Sequence, residues 1–167
     1  MGLDLTAYRG LKKVENPVLD SDGNPIPWET HCKPNVTSEQ ESHWPGRAAG
    51  LEKDTVYTYA DSFGFRGGSY GGYNEWRRWL AGIAGYKSDK DCWENHTSGP
   101  FFELIDFSDC EGTIGPLVAA KLVKDFADFK EKAQGDGYPD SEYNFKKYCE
   151  WEKAFIMAAD NGAVDFH

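Results

Sequence analysis

A segment rich in glycine, aromatic residues and arginine is the part of the chain best equipped to bind a ligand. Residues 63–73 include five glycines, and glycine allows a backbone to approach a ligand closely. The arginines in and after the segment can make bidentate contacts to phosphate or carboxylate groups, and its aromatic rings can stack on a planar base. We therefore predict a pocket for an anionic, nucleotide-like ligand, formed by Phe65, Arg66, Ser69, Tyr70, Tyr73, Trp76, Arg77 and Arg78.

A helix predicted to follow this segment supports the same interpretation. Asn74 or Ser69 can cap its start, Gly85 suits its end, and a helix N-terminus offers N–H groups and a positive dipole to an anion. The segment nevertheless matches neither a Walker A loop nor a dinucleotide-binding glycine motif. The alternative interpretation is a turn-rich loop whose aromatic rings cover the core and whose arginines neutralise nearby acids.

An acidic run at residues 106–112 is the second candidate functional segment. Asp106, Asp109 and Glu111 supply the carboxylates that a hard cation or acid–base catalysis requires, which predicts a metal-assisted hydrolase as an alternative function. No EF-hand or HExxH motif accompanies them. The competing interpretation is that these acids precede a helix starting near Thr113 and stabilise its N-terminus.

Composition and charge exclude several classes of function. A net charge of −10 argues against non-specific binding to nucleic acid, which needs clustered Lys and Arg. No apolar run approaches the roughly 20 residues of a membrane span. No signal peptide and no CxxC pair are present, so we expect a cytosolic protein with reduced thiols and without a zinc motif or cofactor. The cysteines expected to be free are Cys32, Cys92, Cys110 and Cys149.

The first half of the chain predicts strands separated by irregular segments. Residues 3–8 alternate apolar and polar side chains, and β-branched and aromatic residues dominate 55–60, so we predict a strand at each place. Residues 20–25 are dense in turn formers and predict a tight turn. The long irregular connection 26–47 is unusual in a small domain and suggests a functional loop.

The second half predicts mainly helices. Apolar side chains recur at helical spacing from Pro116 to about Lys132, and again after Asp140 or Ser141 until Asn161 and Gly162. Residues 163–167 predict a short edge strand. Since strands and helices do not alternate regularly, we predict a single α+β domain over residues 1–167, with a small antiparallel or mixed sheet packed with about three helices.

Four stretches of the chain resemble a family of uncharacterised proteins from tailed bacteriophages and prophages. They are residues 1–8, 64–74, 107–116 and 158–167, so that the resemblance extends over nearly the whole length. It implies a small accessory protein made in the cytosol of an infected bacterium. Such a protein would modulate host metabolism or counter host defence.

The resemblance and the residues together predict a non-enzymatic protein. It would bind an anionic small molecule or a host protein through residues 63–78. The remaining alternative is a structural or assembly protein of the virion. No catalytic residue is implied by the resemblance.

Overall fold

The fold is built on a four-stranded antiparallel sheet with helices packed on one of its faces. The computed structural model describes residues 2–135, 137 and 140–167. The described strands are β1 (Gly2–Arg9), β2 (Lys12–Lys13), β3 (Val18–Leu19), β4 (Pro25–Ile26), β5 (His31–Cys32), β6 (Tyr57–Thr58), β7 (Asp61–Ser69), β8 (Gly112–Ile114) and β9 (Ala163–Phe166). The strand order in the main sheet is β7-β1-β9-β8.

Three long helices and three short ones complete the described part of the chain. They are α1 (Ser38–His43), α2 (Tyr70–Ala84), α3 (Asp89–Asn95), α4 (Phe102–Ile105), α5 (Pro116–Gln134) and α6 (Ser141–Ala159). α6 packs against β1 and β9, α2 packs against β7, and α5 packs along α6. The predicted α+β class is therefore confirmed. None of the helices in the described ranges is long and apolar enough to cross a membrane.

The predicted first strand is confirmed as β1. Leu3, Leu5 and Ala7 are fully buried or nearly so under the helices, and the residues between them are exposed or partly exposed. This alternation follows from the two-residue period of a strand, which places successive side chains on opposite faces of the sheet.

Residues 63–69 of the glycine-rich segment lie in β7 and residues 70–73 begin α2, so the segment is not the turn-rich loop of the alternative interpretation. β7 pairs with β1, with Phe65 opposite Leu5 and Phe63 opposite Ala7, so both phenylalanines face the helices. Gly67 is buried in the same sheet. A Cβ at Gly67 would lie 3.0 Å from Leu5 and 3.1 Å from Leu3, so glycine here allows close packing of the strand on the two leucines.

The C-terminal strand is also placed differently from the prediction. β9 lies between β1 and β8 in the interior of the sheet, whereas an edge strand was predicted. By contrast, only Tyr57 and Thr58 of the predicted strand 55–60 are in a strand. The predicted irregular connection 26–47 contains the short elements β5 and α1.

The acidic run does not cap a helix. Residues 112–114 form β8, and α5 begins only at Pro116, after an N-cap at Gly115 that has no side chain. A Cβ at Gly115 would meet the carbonyl oxygen of Ala49 at 2.5 Å, so only glycine fits this turn. The capping interpretation of Asp106, Asp109 and Glu111 is therefore wrong.

The core is organised around the indole of Trp151, which is fully buried. It stacks on Tyr73 and Trp76 of α2 at centroid distances of 5.5 Å and meets Phe65 of β7 edge-on at 5.1 Å. Trp151 also contacts Phe166 of β9 at 5.6 Å. This one side chain therefore joins α6, α2 and the sheet, and offset and edge-to-face geometries of this kind are favourable for aromatic rings.

Candidate functional site

The helix α2 distributes the predicted ligand-binding residues over different faces. Ser69 caps the helix, since its Oγ accepts a hydrogen bond from the Gly72 N–H at 3.1 Å, and Gly85 ends it in the left-handed conformation. Tyr73, Trp76 and Arg77 are buried, whereas Arg78 is exposed. Because a helix turns about 100° per residue, consecutive side chains in this segment point to different sides of the helix.

Arg77 is a buried structural arginine. Its Nη1 donates to the carbonyl oxygens of Ile105 at 3.2 Å and Phe107 at 2.5 Å, and its Nη2 donates to Asn74. Its guanidinium also lies over the ring of Tyr73, 4.8 Å from the centroid. Through these contacts Arg77 links α2 to the end of α4 and the residues that follow it. The Arg77 side chain is therefore buried and not accessible to a ligand.

Tyr73 is likewise part of the core. The whole residue is inaccessible to solvent, and burial raises the pKa of its hydroxyl far above the usual range, with Arg77 opposing and Asp109 adding to that shift. Its ring is covered by Trp151 on one side and Arg77 on the other. No face of the ring is left for a ligand to stack on.

The remaining predicted residues lie on β7 or at the start of α2. Phe65 packs against Trp151. Arg66 is exposed on the opposite face of the sheet, where its guanidinium is 4.0 Å from the Asp4 carboxylate. Tyr70 is half-buried in the first turn of α2. The eight residues predicted to form one pocket therefore lie on both faces of the sheet and on two sides of a helix.

A groove between α2, the end of α5 and the start of α6 gathers two of the predicted residues. We call it the helical groove. Its volume is about 990 Å³, compared with 680 and 160 Å³ for two smaller cavities near α1. Trp76 and Arg78 are the predicted residues in its wall. Its described lining is Gly72, Glu75, Trp76, Arg78, Trp79, Gly82, Ile83, Lys132, Gly135, Asp140, Tyr143 and Asn144.

Aromatic and aliphatic side chains form the apolar part of the groove. Trp76 and Trp79 are one turn apart on α2, with ring centroids separated by 6.2 Å, and Ile83 continues the same stripe. Tyr143 of α6 is half exposed and also lines the groove. The side chains therefore offer ring surfaces from two helices.

Charged side chains of both signs surround this apolar surface. Arg78 is 59% exposed and its Nε is 3.4 Å from the Asp89 carboxylate, which is itself only 14% exposed, so the arginine is the hydrated member of this ion pair. The Lys132 Nζ donates to the Ile83 carbonyl oxygen at 2.6 Å at the end of α2. Glu75 and Asp140 add two carboxylates. The groove thus contains two cationic and two anionic groups.

Two hydrogen bonds hold the walls of the groove together. The Trp76 indole Nε1 donates to the Asn144 carbonyl oxygen at 3.2 Å, which links α2 to α6. The Lys132 bond to Ile83 links α5 to α2. A ligand would therefore enter a groove whose three helices are already fixed relative to one another.

The predicted site residues did not include Trp79, Tyr143 or Lys132. The helical spacing of Trp76, Trp79 and Ile83 is the signal in the sequence that places them on one face. No local signal indicated that α5 and α6 would leave this face partly uncovered. Such an arrangement depends on contacts between residues 49 and 68 positions apart in the chain.

Two of the three carboxylates of the acidic run have separate partners. Asp106 pairs with buried Arg47 at 3.2 Å, and Asp109 accepts a hydrogen bond from the Asn74 amide at 3.0 Å. Glu111 is exposed. In the described ranges, no group of three or more His, Cys, Asp or Glu side chains is arranged to hold a metal ion. The geometry therefore gives the metal-assisted hydrolase no support.

All four cysteines are free, as predicted, and Cys110 is exposed.

Comparisons with family models, with curated proteins and with solved structures found no significant match to this chain. The resemblance to phage proteins thus stays a prediction.

Proposed function

We propose that this protein is a non-enzymatic binding protein and that its ligand is an anionic, ring-containing small molecule of the nucleotide class. The observation that carries the proposal is the helical groove, in which indole and phenol rings lie beside two cationic side chains. Its volume of about 990 Å³ is within the range of small-molecule sites.

The mixed charge of the groove suits a nucleotide better than a simple anion. Arg78 and Lys132 would contact phosphate oxygens, because both are donors without acceptor atoms. Glu75 and Asp140 accept hydrogen bonds, and the exocyclic amino groups of nucleobases donate them. A ligand with hydrogen-bond donors at one end and a phosphate at the other can bind both the carboxylates and the cationic side chains.

Ring stacking supplies the affinity that the exposed charges cannot. Contacts of Arg78 with solvent and with Asp89 reduce what an ion pair at this position contributes. Stacking of a base on an aromatic side chain contributes about 1–3 kcal/mol. Trp79 and Tyr143 are the rings in position to do this, and the fixed helices limit the entropy lost on binding.

A thermal-shift panel of mononucleotides and cyclic nucleotides tests the proposal. A ligand present at about 100 times its Kd raises the free energy of unfolding by about 2.7 kcal/mol, which gives a measurable rise in melting temperature. We expect at least one member of the panel to do this, and we expect Arg78→Gln to reduce its affinity at least about tenfold.

Paired variants distinguish the helical groove from the segment predicted by sequence. Gly82 lines the groove and a Cβ there meets no atom within 4 Å, so the side chain added by Gly82→Leu begins in open space at the groove wall. Gly71 is also helical and equally open but lies outside the groove. Gly82→Leu and Arg78→Gln should abolish or weaken binding, whereas Gly71→Leu and Arg66→Gln should not.

Two results would contradict the proposal. The first is a panel in which no compound stabilises the protein. The second is a ligand whose affinity falls equally in Arg66→Gln and Arg78→Gln, since Arg66 lies on the far face of the sheet.

The biological setting is proposed from the resemblance alone. We propose an accessory protein of a phage or prophage that acts in the bacterial cytosol, where sequestering a nucleotide signal would blunt host defence. Mass spectrometry of purified virions checks this, because an accessory protein is absent from the particle and a structural protein is present in it.

A further inference from the structure

The hairpin of β3 and β4 is an apolar surface that no described element covers. Val18 and Ile26 lie opposite each other in the register and are 64% and 48% exposed. Leu19, on the other face of the hairpin, is 44% exposed, and Trp28, just beyond β4, is 74% exposed. Single exposed apolar residues are ordinary, but contiguous groups of them mark interaction sites.

The segment that forms this hairpin carries only negative charge within its own residues, 14–30. Between residues 14 and 30 the chain has four acids and no Lys or Arg. The acids are Glu15, Asp20, Asp22 and Glu29, and all four are exposed.

The hairpin is a preformed surface because its turn and its base are both fixed. The Asp20 carboxylate accepts hydrogen bonds from the N–H groups of Asp22 and Asn24, at 2.9 and 2.8 Å. At the base, the Tyr59 hydroxyl donates to the Glu29 carbonyl oxygen at 2.7 Å, and the Tyr59 ring packs on Tyr8. Exposed apolar side chains on a fixed frame lose little entropy on binding.

We propose that the β3–β4 hairpin docks on a partner protein whose surface has an apolar pocket surrounded by Lys and Arg. Trp28 is the anchor that fills the pocket, and the cross-strand pair Val18 and Ile26 adds further apolar contact. Tryptophan is among the residues most enriched at the energetic centres of interfaces. The four acids complement the basic rim, favour this partner over acidic ones and accelerate association.

Charge makes three other occupants unfavourable. A second copy of the chain would bring four more acids against these four, and phosphates of nucleic acid or of an anionic membrane would be repelled in the same way. The hairpin is separate from the helical groove in sequence and in structure, so the two proposals fail or succeed independently.

Panning a library of displayed random peptides against the immobilised full chain tests the proposal. We expect enriched peptides to combine Lys or Arg with large apolar side chains. Synthetic versions of these peptides are then measured by calorimetry. Trp28→Ser should weaken binding about 30-fold or more, and raising NaCl from about 0.05 to 0.5 M should also weaken it.

Matched variants locate the contact. Trp93→Ser removes another partly exposed tryptophan, in α3, and should leave peptide affinity unchanged. The double variant Asp22→Lys, Glu29→Lys reverses two hairpin charges without touching the Asp20 bonds and should weaken binding at least tenfold. Circular dichroism should match that of the wild type for all three, because every altered side chain is exposed or partly so.

Each other outcome overturns the proposal. Failure to enrich any peptide, or enrichment of acidic or uncharged peptides, would show that the partner chemistry is wrong. Peptides that bind Trp28→Ser as tightly as wild type would place the binding surface elsewhere. A dimer in sedimentation equilibrium that Trp28→Ser dissociates, or Trp28-dependent binding to vesicles of anionic lipid, would assign the hairpin to those occupants instead.

Discussion

Two arginines adjacent in the chain have unrelated roles. Arg77 is 7% exposed and donates hydrogen bonds to three groups of the fold, whereas the Arg78 side chain is 59% exposed in the helical groove. Sequence alone assigned both to one anion site because residue type was the only available criterion. The helical period separates them, and packing of the segment after α4 decides which one is buried.

Arg77→Ala is expected to lower the free energy of unfolding by about 2–4 kcal/mol. The substitution leaves the carbonyl oxygens of Ile105 and Phe107 without their donor and removes the cation from the Tyr73 ring. Hydrogen bonds from charged donors are the stronger ones, and buried acceptors left unpaired are destabilising. Urea denaturation of both proteins measures the difference.

Arg78→Ala provides the control on the same helix. We expect its unfolding free energy to be within about 0.5 kcal/mol of the wild type, as is usual for exposed positions. If the two variants lose equal stability, the structural role assigned to Arg77 is wrong.

At the scale of elements, the three long helices were predictable because their signals are local. The Ser69 cap, the Gly85 end, and the apolar stripes of α5 and α6 all lie within the segments they define. The fold class followed from them.

The pairing of strands was harder to predict from sequence, because paired strands come from distant parts of the chain. β9 lies between β1 and β8, which are about 160 and 50 residues away in sequence. In β7, the alternation of Phe63 and Phe65 was a genuine strand signal, but five glycines in and after the strand masked it. Glycine is depleted from strands unless another group packs closely on the backbone, which is the case at Gly67.

Gly67→Ala should therefore destabilise the protein by about 1–3 kcal/mol. The new methyl group would approach Leu5 at 3.0 Å and Leu3 at 3.1 Å, so β7 or the buried leucines must move. Thermal unfolding followed by circular dichroism measures the loss.

Gly64→Ala in the same strand is the matched comparison. A Cβ at Gly64 has its nearest neighbour, the Leu5 carbonyl oxygen, at 3.8 Å, which is an ordinary contact. We expect this variant to be as stable as wild type or slightly more so, because glycine in a strand interior is unfavourable. Equal destabilisation by both substitutions would mean that the cause is not the packing on Leu3 and Leu5.

At the scale of the whole molecule, the candidate site could be predicted only in part. The sequence shows an aromatic content of 15%, and the helical spacing of Trp76 and Trp79 is compatible with one shared face. The groove itself needs residues near positions 76, 132 and 143 to meet, and their meeting follows from how three long helices cover one sheet. No motif encodes such an arrangement, which explains why the predicted site residues and the helical groove share only Trp76 and Arg78.

Net charge, unlike the site, is fixed by sequence and leads to a prediction for the intact molecule. Duplex DNA carries one negative charge per about 1.7 Å, so it is repelled by a protein of net charge −10. The two cations of the helical groove lie beside Glu75 and Asp140 and do not form a basic patch. Lowering the salt extends the repulsion, since the screening length grows from about 8 Å at 0.15 M to about 30 Å at 0.01 M.

Fluorescence anisotropy with a labelled random-sequence duplex of about 20 base pairs should show no binding at micromolar protein, either at 0.15 M or at 0.01 M salt. Proteins that bind DNA non-specifically show the opposite trend, because their affinity rises as salt falls. Binding that tightens at low salt would therefore reveal a basic surface and contradict the prediction. A mononucleotide has few phosphate groups, and Arg78 and Lys132 suffice to contact them. A protein that does not bind duplex DNA can therefore still bind a nucleotide in the helical groove.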